Sequence, residues 1–156
     1  MTFVFDASSL VVLKNFYPDR FPTLWANIDG LVGAGRLVSV REVFHELAAY
    51  DDVDFIQEWA KDNKQIFLAP SQAETLFVAK IFRVPHFQNL IAQRSRLNGK
   101  PVADPFVIAS AWERGGTVVT EESLKPNAAK IPNVCKHFNI RCISLEGFME
   151  EEGWAF

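Results

Sequence analysis

Two cysteines and three histidines are the whole supply of thiol and imidazole ligands in this chain of 156 residues. Cys135, His137 and Cys142 lie close together, but the spacing is wrong for paired zinc fingers and a fourth ligand is lacking. A small buried cysteine is the better reading. With no disulfide framework, a reduced, cytoplasmic protein is the simplest expectation. No apolar run reaches membrane-spanning length. No basic segment followed by a long apolar stretch marks a signal peptide. Gly-rich phosphate loops and a Ser-His-Asp context are both missing, as are repeats, low-complexity stretches and linkers. Neither sign of charge dominates, the formal net charge being −3. That weighs against a strongly basic coat protein for nucleic acid. It leaves open a nucleic-acid enzyme whose acidic site is offset by cations.

What is present is apolar bulk. Apolar residues make up 49% of the chain, 14 of them phenylalanine. This supports a single domain over residues 1–156 with a substantial core. Residues 2 to 5 suit a buried strand. Pro22 starts a helix carrying Leu24, Trp25, Ile28, Leu31 and Val32, and Gly33 and Gly35 stop it. Arg36 to Ser39 is a short strand. Val40, Val43, Phe44, Leu47 and Ala48 define the next helix. Further helices are expected over 54 to 63, 72 to 82 and 86 to 98. A buried helix covers 105 to 114 and ends at Gly115 and Gly116. Strands follow at 117 to 120 and 140 to 145, with a last helix over 145 to 152. Short apolar strands separated by helices imply a parallel sheet covered on both faces, hence an α/β three-layer sandwich. Ligands of such sheets bind beyond the carboxyl ends of the strands.

Acids gather at those ends. Asp6 closes the first strand, Glu42 and Glu46 lie on the helix after the second, and Asp104 opens the buried helix. Glu121 and Glu122 follow "TVVT" directly. Clustered carboxylates repel unless a cation sits among them. Oxygen ligands without supporting His or Cys suit Mg²⁺ or Mn²⁺. Two such ions can flank a phosphodiester and activate a water for in-line attack. Each acid also has a plainer role. Asp6 is as good a helix cap as a ligand. Asp104 before Pro105 is an ordinary N-cap, and on its own the cap is favoured. Glu42 completes a capping box with Ser39 and, at about 100° per residue, points nearly opposite its helix's apolar stripe. Glu46 lies nearer the stripe's edge, within reach of a sheet-side pocket. Glu121 and Glu122 suit a helix N-terminus through its dipole. The joint placement is the stronger signal.

Four stretches in order, "FDASS", "VREVFHEL", "VADPFVIASA" and "VVTEES", resemble the four acidic motifs of PIN-domain ribonucleases, whose best-known branch is the VapC-type toxins. The resemblance runs from residue 3 to about residue 145 and is most specific in "ADPFVIASA". It implies a PIN-like parallel-sheet sandwich and Mg²⁺- or Mn²⁺-dependent endoribonuclease activity. It places Asp6, Glu46, Asp104 and Glu122 as metal ligands and catalytic acids, with Ser8 and Thr120 as their polar companions. Glu122 stands where the family usually has Asp, and Glu121 is the alternative fourth ligand. The partners implied are an RNA substrate and an antitoxin protein, and a homodimer is compatible. The segment from 51 to 100 is longer than in many small toxins, as in a divergent branch.

Arg94, Arg96 and Lys100, with Lys80 and Arg83, are candidates to grip RNA phosphates, although such a run is more often a solvated face. Phe87 can stack on a base, but Phe87, Leu90, Ile91 and Leu97 form one stripe, and a core role is favoured. His45 occurs singly and receives no role. Two other function classes compete. A haloacid dehalogenase-like phosphohydrolase would use Asp6 as nucleophile but needs a second acid where Ser8 stands. A non-catalytic PIN-fold binding protein would have a degraded site, whereas here the acids are kept.

Overall fold

The computed structural model describes residues 1–90 and 102–156. Five strands form one all-parallel sheet: β1 (Phe3–Phe5), β2 (Leu37–Val40), β3 (Phe67–Leu68), β4 (Thr117–Val119) and β5 (Arg141–Ile143), in the order β3-β2-β1-β4-β5. The helices among the described residues are α1 (Ala7–Val12), α2 (Pro22–Gly33), α3 (Arg41–Leu47), α4 (Asp54–Asp62), α5 (Gln72–Phe82), α6 (Asp104–Arg114), α7 (Ile131–His137) and α8 (Leu145–Glu151). They flank the sheet in a three-layer α/β sandwich. Parallel strands need crossovers, and helices supply them.

The core follows from strand alternation. Phe3 and Phe5 share a face and meet Phe148 of α8 edge-on, with ring centroids 4.8 and 5.0 Å apart. Val4 faces the other layer and is fully buried. No helix among the described residues is long and apolar enough to cross a membrane.

Two glycines fix the register that matters most. Gly115 ends α6 with a left-handed φ of 60°. At Gly116 a Cβ would stand 2.6 Å from the Thr2 carbonyl oxygen, so a side chain is excluded there. The close approach lets the Thr117 N–H donate to Thr2 O at 2.9 Å. Pairing then runs Phe3 to Thr117, Val4 to Val118 and Phe5 to Val119. One step further, Asp6 falls beside Thr120.

Several expectations shift. The box between Ser39 and Glu42 does not form. Val40 is the N-cap of α3 without a side-chain cap bond, and the buried Ser39 hydroxyl donates to Phe5 O at 2.7 Å instead. Ser39 lies within β2, where its nearest acceptor is on the neighbouring strand. Asp104 is not an N-cap, because Ala103 takes that position and already has a helical backbone, leaving Asp104 as the first residue of α6. The expected helix over 86 to 98 opens as a 3₁₀ turn, Pro85–Gln88. Phe87 and Leu90 are buried, as their stripe requires. Ile91, Leu97, Arg94, Arg96 and Lys100 lie outside the described residues.

Candidate functional site

With every strand parallel, all carboxyl ends lie at one edge of the sheet, and that edge carries the acids. Asp6 leaves β1 as the N-cap of α1, its Oδ1 accepting the Ser9 N–H at 2.9 Å. The Ser8 hydroxyl lies 2.9 Å from both carboxylate oxygens. From the end of β4, the Thr120 hydroxyl donates to Asp6 Oδ2 at 2.5 Å. Thr120 Oγ1 also accepts the Glu122 N–H at 3.1 Å, and Ser8 Oγ accepts the Glu121 N–H at 3.0 Å. Asp6 is thus both cap and strand-end acid. Burial pushes its carboxyl above the usual range; Thr120, the Ser9 N–H and Ser8 pull it back only in part.

Glu46 meets the start of the helix that carries Asp104. α6 leads into β4, so it runs back across the sheet and its first residue returns to the carboxyl edge. There Glu46 Oε1, from α3, accepts the N–H of Ala103, the residue before Asp104, at 3.2 Å. Asp104 is buried.

The two glutamates after β4 are turned to helix starts. Glu121 Oε1 accepts from Leu145 N at 2.8 Å, at the first residue of α8. Glu122 Oε2 accepts from Ile131 N at 3.0 Å, at the first residue of α7. Their dipole-side reading holds for both.

Glu42 is the residue that the sequence misplaced. It is 6% exposed, where the helical wheel put it on the open side. Its Oε1 lies 3.3 Å from Arg41 Nε, and its Oε2 is buried with no hydrogen-bond partner. The stripe argument failed because α3 is only seven residues long and is covered on more than one side. Its spacing of four from Glu46, which sets both on one helix face, was the available signal. Cys135 is free and buried, as expected.

The oxygen-only donor set suits a hard cation such as Mg²⁺ or Mn²⁺. The acids stand as Asp6 with its hydroxyl partners and as Glu46 beside the Asp104 turn. Among the described residues no three or more His, Cys, Asp and Glu side chains form a group that could hold a metal ion.

Fold and site define an α/β protein with a carboxylate-lined edge. Among solved structures, the crystal structure of PAE2754 from Pyrobaculum aerophilum is similar in fold, with a TM-score of 0.51 and 15% identity, covering 97% of this chain and 88% of that one. The chain belongs to the family described as "Domain of unknown function (DUF4411)", which matches residues 3–156. No curated protein matches it.

Proposed function

We propose that the chain is a PIN-type, metal-dependent endoribonuclease and the toxin of a toxin–antitoxin pair. The observation that carries this reading is the strand register that sets Asp6 beside Thr120 at the same sheet edge where Glu46 meets the start of α6. In this reading Asp6, Glu46 and Asp104 would hold the cation once drawn together by it, and Glu122 or Glu121, now bonded to a helix start, would be the fourth acid. Held there, Mg²⁺ or Mn²⁺ would supply Lewis-acid activation of water and charge neutralisation at the phosphodiester. Ser8 and Thr120 orient the Asp6 carboxylate through their hydroxyls. Burial of Asp6 and Asp104 excludes bulk water from the acids. Arg94, Arg96 and Lys100 are proposed to contact RNA phosphates. The partners are RNA and an antitoxin protein, with a homodimer compatible, and the setting is the cytoplasm.

The phosphohydrolase alternative is disfavoured because Ser8, in the place of the second acid, is spent on orienting Asp6. Incubation of the purified chain with single-stranded and looped RNA tests the proposal. Cleavage should require Mg²⁺ or Mn²⁺, stop with EDTA, and leave 5′-phosphate and 3′-hydroxyl ends. Ca²⁺ should support little turnover, because its looser coordination aligns the reactants less well. Cleavage that survives EDTA, or cyclic phosphate ends, would overturn it.

A further inference from the structure

Of the two residues that follow each of the five described strands, Arg41 is the only cation, while acids stand at Asp6, Glu42 and Glu121. The backbone fixes where it sits. β1 and β2 pair Phe3 with Leu37 and Val4 with Val38. The same register sets Phe5 beside Ser39, in agreement with the bond from the Ser39 hydroxyl to Phe5 O, and Asp6 beside Val40. Arg41 is the next residue. It opens α3 at the carboxyl edge, one strand spacing of about 4.8 Å to the side of the step from Asp6 to Ala7.

Arg41 does not serve as a counter-ion to Asp6, whose carboxylate is bonded to Ser8, Ser9 and Thr120. Its Nε donates to Glu42 Oε1 at 3.3 Å, and no other side-chain hydrogen bond or ion pair engages the guanidinium among the described residues. The Arg41 side chain is 55% exposed and that of Glu42 only 7%. In an ordinary surface pair both partners lie in water and little is gained. Here the acid is withdrawn from water, and its Oε2 has no hydrogen-bond partner. Burying a carboxylate on those terms costs stability. The result is a guanidinium held at one N–H, with the end-on fork of Nη1 and Nη2 left without a protein partner. Such a fork matches two oxygens of one phosphate.

We infer that Arg41 grips a phosphodiester of an RNA strand at the carboxyl edge through Nη1 and Nη2, and that Glu42 is a positioning residue that holds the guanidinium by Nε. Naming RNA as the substrate rests on the nuclease reading above; the phosphate contact does not. Neither residue is a ligand of the cation in this arrangement. The stability given up in burying Glu42 is offset in function, because a guanidinium already fixed at Nε loses less freedom when it meets the phosphate.

The test is fluorescence anisotropy of a labelled single-stranded oligoribonucleotide with the full chain, in EDTA and again in Ca²⁺, over a range of salt. Arg41→Gln should weaken binding about tenfold and lower the slope of log K against log salt by about 0.7, the share of one phosphate on a single strand. Arg41→Lys should restore the slope, since the charge returns, but only part of the affinity, since the fork does not. Glu42→Met should cost affinity in the parent and none in the Arg41→Gln chain, as expected of a residue that acts through another. Where RNA is cleaved, the KM of Arg41→Gln should rise about tenfold, more than kcat falls. Binding that depends on Arg41, by a chain that cleaves no RNA, would sink the nuclease reading and keep the phosphate contact. Metal-dependent cleavage with unchanged KM, affinity and salt slope in Arg41→Gln would overturn the inference and keep the nuclease. Equal losses from Glu42→Met in both backgrounds would overturn the role given to Glu42, and no binding by the parent chain would overturn both roles.

Discussion

The Thr120 hydroxyl donates to Asp6 Oδ2 at 2.5 Å, joining the carboxyl ends of the central strand, β1, and its neighbour β4. The same oxygen accepts the Glu122 N–H, so one side chain fixes both the turn after β4 and its link to β1. Thr120→Val keeps the shape and removes the hydroxyl. It should cost about 1–3 kcal/mol, since Asp6 and the Glu122 N–H each lose a partner in a buried setting. Thr120→Ser should recover most of that loss. Urea unfolding of the two variants measures both effects; equal stabilities would show that the hydroxyl contributes nothing.

Asp6→Asn separates the cap from the charge. Asn caps helices as well as Asp does, and its Oδ1 can still accept the Ser9 N–H. In metal-free buffer the variant should melt a few degrees higher, as expected for relief of about 1 kcal/mol in a chain of this size. Excess Mg²⁺ should stabilise the parent and not the variant, narrowing the gap. Thermal melts with and without Mg²⁺ decide this, and an unchanged gap would argue against cation binding at Asp6.

Glu46→Gln retains an acceptor for the Ala103 N–H, so the start of α6 should stay in place. The neutral amide is a poor ligand for a hard cation, and metal-dependent cleavage should fall at least a hundredfold, a loss on the scale of about 3 kcal/mol. Native-like circular dichroism beside lost cleavage is the expected pair of results.

Glu42→Met tests the buried carboxylate whose Oε2 has no hydrogen-bond partner. Methionine has similar length and no polar atom to leave unsatisfied. The variant should be at least as stable as the parent, and up to about 1–3 kcal/mol more so in metal-free buffer. Marked destabilisation in guanidinium titrations would show that the contact with Arg41 outweighs the orphaned oxygen.

The last prediction concerns pH. Glu74, 2% exposed in the first turn of α5, lies against Glu113 of α6. The Ser71 hydroxyl, which caps the Glu74 N–H, also donates to Glu113 Oε2 at 2.6 Å. Burial, then the hydrogen bond to Glu113 and its charge, push Glu74 up from 4.5 to about 7, while Glu113 is held below its usual value by its bonds to Glu74 and Ser71. The folded chain therefore keeps a proton on Glu74 that the unfolded chain releases. Stability from this pair should fall as pH rises from 4.5 to about 7 and level off above. Glu113 acts oppositely, but only on the acid side of that window. Glu74→Gln can keep the donation to Glu113 without titrating. The difference in melting temperature between the variant and the parent should widen in the variant's favour across that window. A constant difference would mean that Glu74 ionises normally.

Much of this was legible in the chain itself. "FVFDASS" sets out a buried strand, a cap and a carboxylate in consecutive residues, and the structure has all three. The bounds of α5 agree with the periodic pattern at both ends, because Ser71 caps the first turn. The acids at strand ends were visible for the same reason: strand, cap and helix start are local events. What the chain did not disclose depends on distant neighbours. β3 is two residues long, too short for any pattern, and exists because β2 offers it an edge. The helix Ile131–His137 is similarly short and is fastened by Glu122 from another segment. Glu42 was misjudged because a wheel knows one helix and not what covers it. The sequence by itself determined the strands other than β3, the cap at Asp6 and the acids that follow the strands. Only the tertiary structure decided the strand order, the burial of Glu42, the turning of Glu121 and Glu122 to helix starts, and the meeting of Asp6 with Thr120. Local preferences act within a few residues of chain. Partners such as Asp6 and Thr120, separated by more than a hundred residues, are chosen by which strands pair and in what register, and that is settled by packing.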